Sequence, residues 1–247
     1  MDCPAFSISM PCFLLAAGRG ERMRPLTDST PKPLLTIQNK SLLQWHIEAL
    51  VAAGIARIVI NHAWLGEQIE AAFGDGVSWG AQIQYSPEES ALETAGGIGR
   101  ALPLINPEPY FLVINGDVFT PGFPLTTLLN QFQARLDGGA RPLAHLILVP
   151  NPPQHPQGDF YLEGDVVRDA PSDPTSPSEY PLTFSGIGIY HRDLFAGLRA
   201  GQSAKLAPLL RAAMAKNQVS GEKYTGPWHD VGTPQRLYEL NQSYESI

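Results

Sequence analysis

Cysteine is almost absent from the 247-residue chain, which carries only Cys3 and Cys12. Two thiols so close together build neither a disulfide framework nor a zinc site, and a reducing cytoplasm is the setting that fits them. Cys12 stands in an apolar run and reads as a small buried hydrophobe. Basic charge is scarce as well. Seventeen Lys and Arg face 24 Asp and Glu, a formal net charge of −7, and no basic block occurs anywhere. Nucleic-acid binders need a Lys/Arg stripe to neutralise phosphates, so no nucleic-acid partner is expected. No run of about 18 apolar residues is present, which argues against a membrane span. Met1–Ser9 has neither the basic start nor the long apolar centre of a signal peptide. Those nine residues read as a disordered extension, or as a misplaced start ahead of Met10. The six histidines are scattered and none stands with a nucleophile as a triad would require. All are read as structural, and His229 is expected to face away along an extended strand.

What the chain does have is alternation of short apolar runs with helical patterns. Phe13–Ala17, Arg57–Asn61, Ala81–Tyr85 and Tyr110–Asn115 read as strands. Helices fit Ser41 to Gly54, Leu65–Phe73 and Gly97–Leu102. Strands alternating with helices imply a parallel sheet covered on both faces, with ligands bound beyond the carboxyl ends of the strands. The second half offers strands at Leu143–Val149 and Leu182–Tyr190, and a hairpin from Phe160–Leu162 and Val166–Arg168. It continues with a helix over Ala204–Lys216, a short strand at Trp228–Val231 and a closing helix at Pro234–Tyr244. Asp169–Pro181 is rich in Pro, Ser and Asp and reads as a surface loop. Residues 10–247 are taken as one domain: an α/β, Rossmann-like, doubly wound, mostly parallel sheet with a mixed-strand lobe.

Leu15 to Leu35, LAAGRGERMRPLTDSTPKPLL, is the most informative stretch. Gly18 and Gly20 allow backbone N–H groups to turn towards an anion. Arg22, Arg24 and Lys32 bring cations to the same loop, and Pro31 and Pro33 hold Lys32 in an extended segment. A dinucleotide fingerprint is excluded because Met23 stands where its third glycine belongs. A P-loop is excluded because no Gly-Lys-Ser/Thr follows.

The pattern LAAGxGxRxxPLTxxxPKPLL resembles the signature of the sugar-phosphate nucleotidyltransferases, and the similarity runs on through nearly the whole chain. Glu93-Thr94-Ala95-Gly96-Gly97, Asn115-Gly116-Asp117, Phe184-Ser185-Gly186 and Trp228-His229-Asp230-Val231-Gly232-Thr233 carry it further. The resemblance implies the fold of the nucleotide-diphospho-sugar transferases and the transfer of a nucleoside monophosphate onto a sugar 1-phosphate. It implies Asp117 and Asp230 as ligands of Mg²⁺, with Arg22, Lys32 and Asp117 carrying the catalysis. It further implies nucleotide binding by Ala17, Gly18, Gly20, Glu21, Arg22, Lys32 and Gly96. Asn115, Gly158 and Asp159 are expected, by motif position, to contact hydroxyls or the phosphate of the sugar substrate. Many relatives place a gripping lysine in a Glu-Lys-Pro, but Asp169-Ala170-Pro171 stands here. Lys205 is the substitute put forward. INHAWLGEQIE, KLAPLLRAAMA and the short length favour UTP and N-acetylmuramic acid α-1-phosphate, as used in peptidoglycan recycling. GTP with mannose 1-phosphate, dTTP or UTP with glucose 1-phosphate, and an inactive regulatory homologue stay open as alternatives. Oligomeric state is not readable.

Overall fold

The computed structural model describes residues 10–105, 107–172, 180–199 and 201–244. The expected extension at 1–9 and most of the expected loop, residues 173–179, lie outside them. Nine strands form the main sheet: β1 (Cys12–Leu15), β2 (Arg57–His62), β3 (Gln82–Pro87), β4 (Tyr110–Asn115), β5 (Ala144–Val149), β6 (Tyr161–Glu163), β7 (Val166–Arg168), β8 (Thr183–His191) and β9 (Val219–Lys223). Their order is β3-β2-β1-β4-β8-β5-β9-β7-β6. The first four are mutually parallel. β8 then runs antiparallel to both β4 and β5, β9 runs parallel to β5, and β7 and β6 form the antiparallel edge. The switch from parallel to mixed pairing falls at β8, where the first half of the chain meets the second.

Among the described residues there are six α-helices: α1 (Leu42–Ala52), α2 (Gly66–Phe73), α3 (Glu93–Ile105), α4 (Leu125–Asp137), α5 (Leu206–Met214) and α6 (Pro234–Tyr244). Successive side chains in a strand point to opposite faces, and the two cores divide along that alternation. Cys12, Leu14, Ile58, Ile60, Leu112 and Ile114 join Leu43 and Ile47 of α1, Ile69 of α2 and Leu128 of α4. Phe13, Val59, Phe111 and Val113 join Ile98 of α3 and Leu210 of α5 on the other face. Both faces are therefore covered, the doubly wound arrangement that the sequence implies. A third, smaller core places Leu237 and Leu240 of α6 against Met23, Leu35, Ile37 and Phe119, so the last helix supports the glycine-rich segment from behind.

Local chemistry sets several boundaries. Ser41 caps α1, its Oγ accepting the Gln44 N–H at 3.1 Å. α3 extends beyond the Gly97–Leu102 expected from apolar spacing, because its buried residues Ala95, Gly96 and Gly97 belong to its first turns. α4 and β9 are not among the elements named from sequence. β9 lies between β5 and β7, where Gly221 is needed: a Cβ there would approach Val167 Cγ2 to 2.6 Å and Leu146 O to 2.7 Å. Among the described residues, no helix is long and apolar enough to cross a membrane.

Candidate active site

β1 pairs in parallel with β2 on one side and β4 on the other, and Leu15 is in register with both Asn61 and Asn115. The three strand ends therefore open side by side, and the loops that leave them meet. Ala16 donates its N–H to Asn61 Oδ1 at 2.8 Å. Asn61 Nδ2 donates in turn to Glu88 Oε1 at 2.7 Å, and Glu88 Oε2 accepts the Leu92 N–H at 2.9 Å. Glu88 and Asn61 are both buried. A buried carboxylate is tolerated only when it is hydrogen-bonded. Here its bonds tie the loop after β1 to the segment that opens α3.

Beyond Ala16 the chain turns at Gly20, whose φ is +68°. Its carbonyl accepts the Thr27 hydroxyl at 2.8 Å, and a Cβ on it would come within 3.0 Å of Thr27 and 3.1 Å of the Lys32 stem. Gly20 is thus required by close packing over Lys32. At Gly18, by contrast, a Cβ would meet nothing within 4 Å, so its backbone is open to the cleft. Arg19 stacks on the ring of Trp64, its guanidinium carbon 3.5 Å from the centroid. Both residues donate to the Thr27 carbonyl at 3.0 Å, which clasps the loop to the β2–α2 connection.

Lys32 is buried, and its Nζ lies 2.6 Å from Asp117 Oδ2. An unpaired buried ammonium costs several kcal/mol, about the effective penalty per ion, so this contact accounts for a charged Lys32 at that depth. Asp117 lies two residues beyond the end of β4. A two-residue antiparallel ladder joins Val118–Phe119 to His229–Asp230, and Val231 donates its N–H to the Asp117 carbonyl at 3.0 Å. Asp230 is brought beside Asp117 by this ladder. Its Oδ2 is held by Arg236 Nη1 at 2.7 Å. His229 packs on Phe119 and Tyr244, and burial lowers its pKa.

Two clefts meet at this point. One of about 340 Å³ is lined by Ala17, Gly18, Lys32, Asn61, Glu88 and Thr94, among others. A second, of about 190 Å³, is lined by His155, Ser185, Trp228 and Asp230, among others. Asn115 and Asp117 line both. The structure therefore brings Ala17, Gly18, Lys32, Asn115, Asp117 and Asp230 together. The other residues named from sequence lie elsewhere. Arg22 and Glu21 are exposed in the short helical turn Glu21–Met23 and line neither cleft. Gly96 is spent on packing: its N–H donates to Ala204 O at 3.1 Å, and a Cβ would meet Gln202 O at 2.4 Å. Gly158 has a φ of +64° and packs on Asn151 and Pro181. The Asp159 oxygens are taken by the Phe184 N–H at 2.8 Å and His155 Nε2 at 3.1 Å. Lys205 is exposed at the N-terminal end of α5, beside the start of α3, and lines neither cleft. Asp169 pairs at the surface with Arg211 at 2.7 Å.

Asn61, Glu88, Trp64 and His155 were not singled out from sequence. Only His155 carried a local signal, since Asp159 follows it by four residues. The donor set also allows a judgement on metal. Each aspartate has one oxygen engaged by a cation, and among the described residues no third His, Cys, Asp or Glu completes a metal cluster. Two hard carboxylates with substrate phosphates and water as the remaining ligands suit Mg²⁺.

A family model described as nucleotidyl transferase matches residues 12–247. The N-acetylmuramate α-1-phosphate uridylyltransferase of Neisseria meningitidis serogroup B is 53% identical over 236 residues, 93% of this chain and 96% of that protein. A glucose-1-phosphate thymidylyltransferase of Xanthomonas campestris is 30% identical over 250 residues, 95% of this chain and 80% of that protein. The backbone superposes with a TM-score of 0.79 on a Bacillus anthracis structure described as a glucose-1-phosphate thymidylyltransferase in complex with sucrose. That match covers 96% of both chains at 19% identity, and speaks for the fold alone.

Proposed function

The chain belongs to the nucleotidyl transferase family, and from that premise we propose that it converts UTP and N-acetylmuramic acid α-1-phosphate to UDP-N-acetylmuramic acid and pyrophosphate. The observation that carries the class of reaction is the pair of clefts sharing Asn115 and Asp117, with Lys32 in the larger cleft bound to Asp117. The choice of sugar and base rests on the 53% identity to the Neisseria uridylyltransferase, against 30% to the thymidylyltransferase. Residues 10–247 act as one nucleotidyltransferase domain, which the single sheet running through both halves supports. A cytoplasmic enzyme of cell-wall recycling is the corresponding setting.

The chemistry needs no general base. A phosphate monoester loses its second proton near about pH 6, so the sugar 1-phosphate arrives as an anionic nucleophile. Its oxygen forms a bond to the α-phosphorus of UTP while the bond from that phosphorus to the bridging oxygen breaks. Pyrophosphate leaves with the electron pair. What the protein contributes is alignment of two polyanions and stabilisation of charge at the α-phosphorus. Lys32 supplies a buried cation at that point, and the open backbone at Gly18 receives the triphosphate. Arg22, free of any ion pair among the described residues, closes on the outer phosphates. Mg²⁺ held by Asp117 and Asp230 would neutralise phosphate charge between the two carboxylates.

The test is kcat/KM with UTP for the N-acetylmuramic acid, N-acetylglucosamine, glucose and mannose 1-phosphates, repeated with dTTP and GTP. The muramic substrate with UTP should rank first, with N-acetylglucosamine 1-phosphate slower but measurable. A glucose or mannose ester in first place overturns the sugar assignment. Absence of pyrophosphate release from every pair overturns the enzyme reading.

A further inference from the structure

We propose that His155, held by Asp159, binds the phosphate of the incoming sugar 1-phosphate, a role assigned here on top of the reaction proposed above. The two clefts impose a division of labour. Gly18, Lys32 and Glu88 line the larger one, so the nucleotide fills it. The second substrate must then reach Asp117 from the smaller cleft. That cleft is hostile to an anion, because Asp117 and Asp230 both face it. Lys32 and Arg236 are each already paired with one of those carboxylates, at 2.6 and 2.7 Å. Among the described residues that line the smaller cleft, His155 is the one basic side chain.

Its surroundings are those of a built ligand rather than a loose surface histidine. The Asp159 carboxylate accepts from Phe184 N–H on β8 with one oxygen and faces His155 Nε2 with the other. The loop itself is pinned at both ends. Pro152 O accepts the His155 N–H at 2.9 Å, and Asn151 Nδ2 donates to Pro156 O and Pro181 O. Gly158, at positive φ against Asn151 and Pro181, lets the loop lie this close. A charged imidazole has an N–H at each end of its ring. With Nε2 turned to Asp159 at 3.1 Å, Nδ1 is the ring atom left for a ligand, and among the described residues it has no other partner. A carboxylate behind a histidine fixes the orientation of its ring. The 1-phosphate is the group addressed, rather than a carboxylate elsewhere on the sugar, because this cleft ends on the aspartate pair where phosphoryl transfer occurs.

The experiment is steady-state kinetics on the full chain with His155→Ala and His155→Lys, varying each substrate in turn. His155→Ala should raise the KM for the sugar 1-phosphate about 10- to 100-fold, the loss typical of one hydrogen bond to a charged group. The KM for UTP should change less than about twofold, and His155→Lys should recover most of the loss. The side chain is 42% exposed, so folding should survive, and an unchanged melting temperature verifies it. Equal penalties for N-acetylmuramic acid and N-acetylglucosamine 1-phosphates support a phosphate contact. A penalty confined to the muramic ester, an equal rise in both KM values, or no rise overturns it. Failure of the sugar assignment shows separately in the wild-type panel. The phosphate is common to every ester, so His155→Ala is then measured with whichever one the wild type prefers.

Discussion

Lys32 Nζ sits 2.6 Å from Asp117 Oδ2, and 113 residues further along (230 − 117) Asp230 Oδ2 is held at 2.7 Å by Arg236. Each proposed metal ligand is thus already neutralised by a protein cation. A divalent ion has to compete with these contacts, so it should bind well only when triphosphate oxygens complete its shell. Asp117→Asn is expected to lower kcat by about three orders of magnitude, with a fall in melting temperature because buried Lys32 loses its counter-charge, so activity is compared at a temperature where the variant is folded. EDTA should silence the wild type, and added Mg²⁺ should restore it. Titration of Mg²⁺ with and without a non-hydrolysable UTP analogue should show tight binding only with the nucleotide. Undiminished turnover in Asp117→Asn would remove this residue from the metal site.

The two cations of the glycine-rich segment should separate kinetically. Lys32 is buried in the wall of the larger cleft, whereas Arg22 is exposed on the outer turn. Lys32→Ala should reduce kcat most, because its contact strengthens as charge moves at the α-phosphorus. Arg22→Ala should chiefly raise the KM for UTP, since the outer phosphates carry their charge throughout. If Lys32→Ala altered KM alone, the two roles would have to be exchanged.

Gly97→Ala sets a local gain against a tertiary loss. Alanine favours a helix over glycine by about 1 kcal/mol. Its Cβ would, however, lie 2.6 Å from Glu88 Oε1 and 2.8 Å from Asn61 Nδ2, on the buried bond between them. Displacing such a bond costs about 1–3 kcal/mol for each group left unpaired. With two groups unpaired, a net loss of about 1–5 kcal/mol in urea unfolding is expected, with a raised KM for UTP because Asn61 also holds Ala16. Greater stability in this variant would show that the Asn61–Glu88 bond does not hold the cleft wall.

His46 on α1 predicts a pH effect on stability. It is buried with Nε2 unpartnered, and burial lowers its pKa to about 4, opposed by the Val118 backbone and the Asp117 charge. Between about pH 4 and 6.5 the unfolded chain binds a proton that the folded chain refuses. Stability from this residue is therefore complete above 6.5 and lost as pH falls through that window. About 2 kcal/mol should disappear between pH 7.5 and pH 5, at 1.36 kcal/mol per unit. His46→Leu should flatten that part of the profile, as read from urea midpoints at the two pH values. An identical slope in the variant would assign the pH effect to other groups.

The chain's own pattern reveals the parallel half of the sheet well and the site only in part. β1, β2 and β4 are short apolar runs, and α1 has both a serine cap and helical spacing, so local signals suffice. β9 is VSGEK, without an apolar run, and becomes a strand because β5 and β7 leave a place for it. α4 does carry Leu125, Leu128, Leu129 and Phe132 at helical spacing, but Thr, Gln and Asn between them dilute the signal. Lys32, Asp117 and Asp230 stand in dense motifs and could be named. Asn61 and Glu88 could not, since nothing local to either residue says that 27 positions later a carboxylate closes on an amide. Gly96 and Asp159 stood in motifs as well, yet their backbone N–H and carboxylate oxygens are used inside the protein.

The ladder between Val118 and Asp230 has a consequence for biosynthesis. Asp117, Lys32 and the glycine-rich loop all leave the ribosome well before the His229–Asp230 segment does. A nascent chain can therefore assemble its four parallel strands early, with Lys32 and Asp117 together, yet it lacks the second carboxylate. Contacts this distant in sequence form late because closing the intervening loop costs entropy. A chain halted before the His229–Asp230 segment would thus hold Lys32 and Asp117 together but lack the carboxylate proposed to complete the metal site.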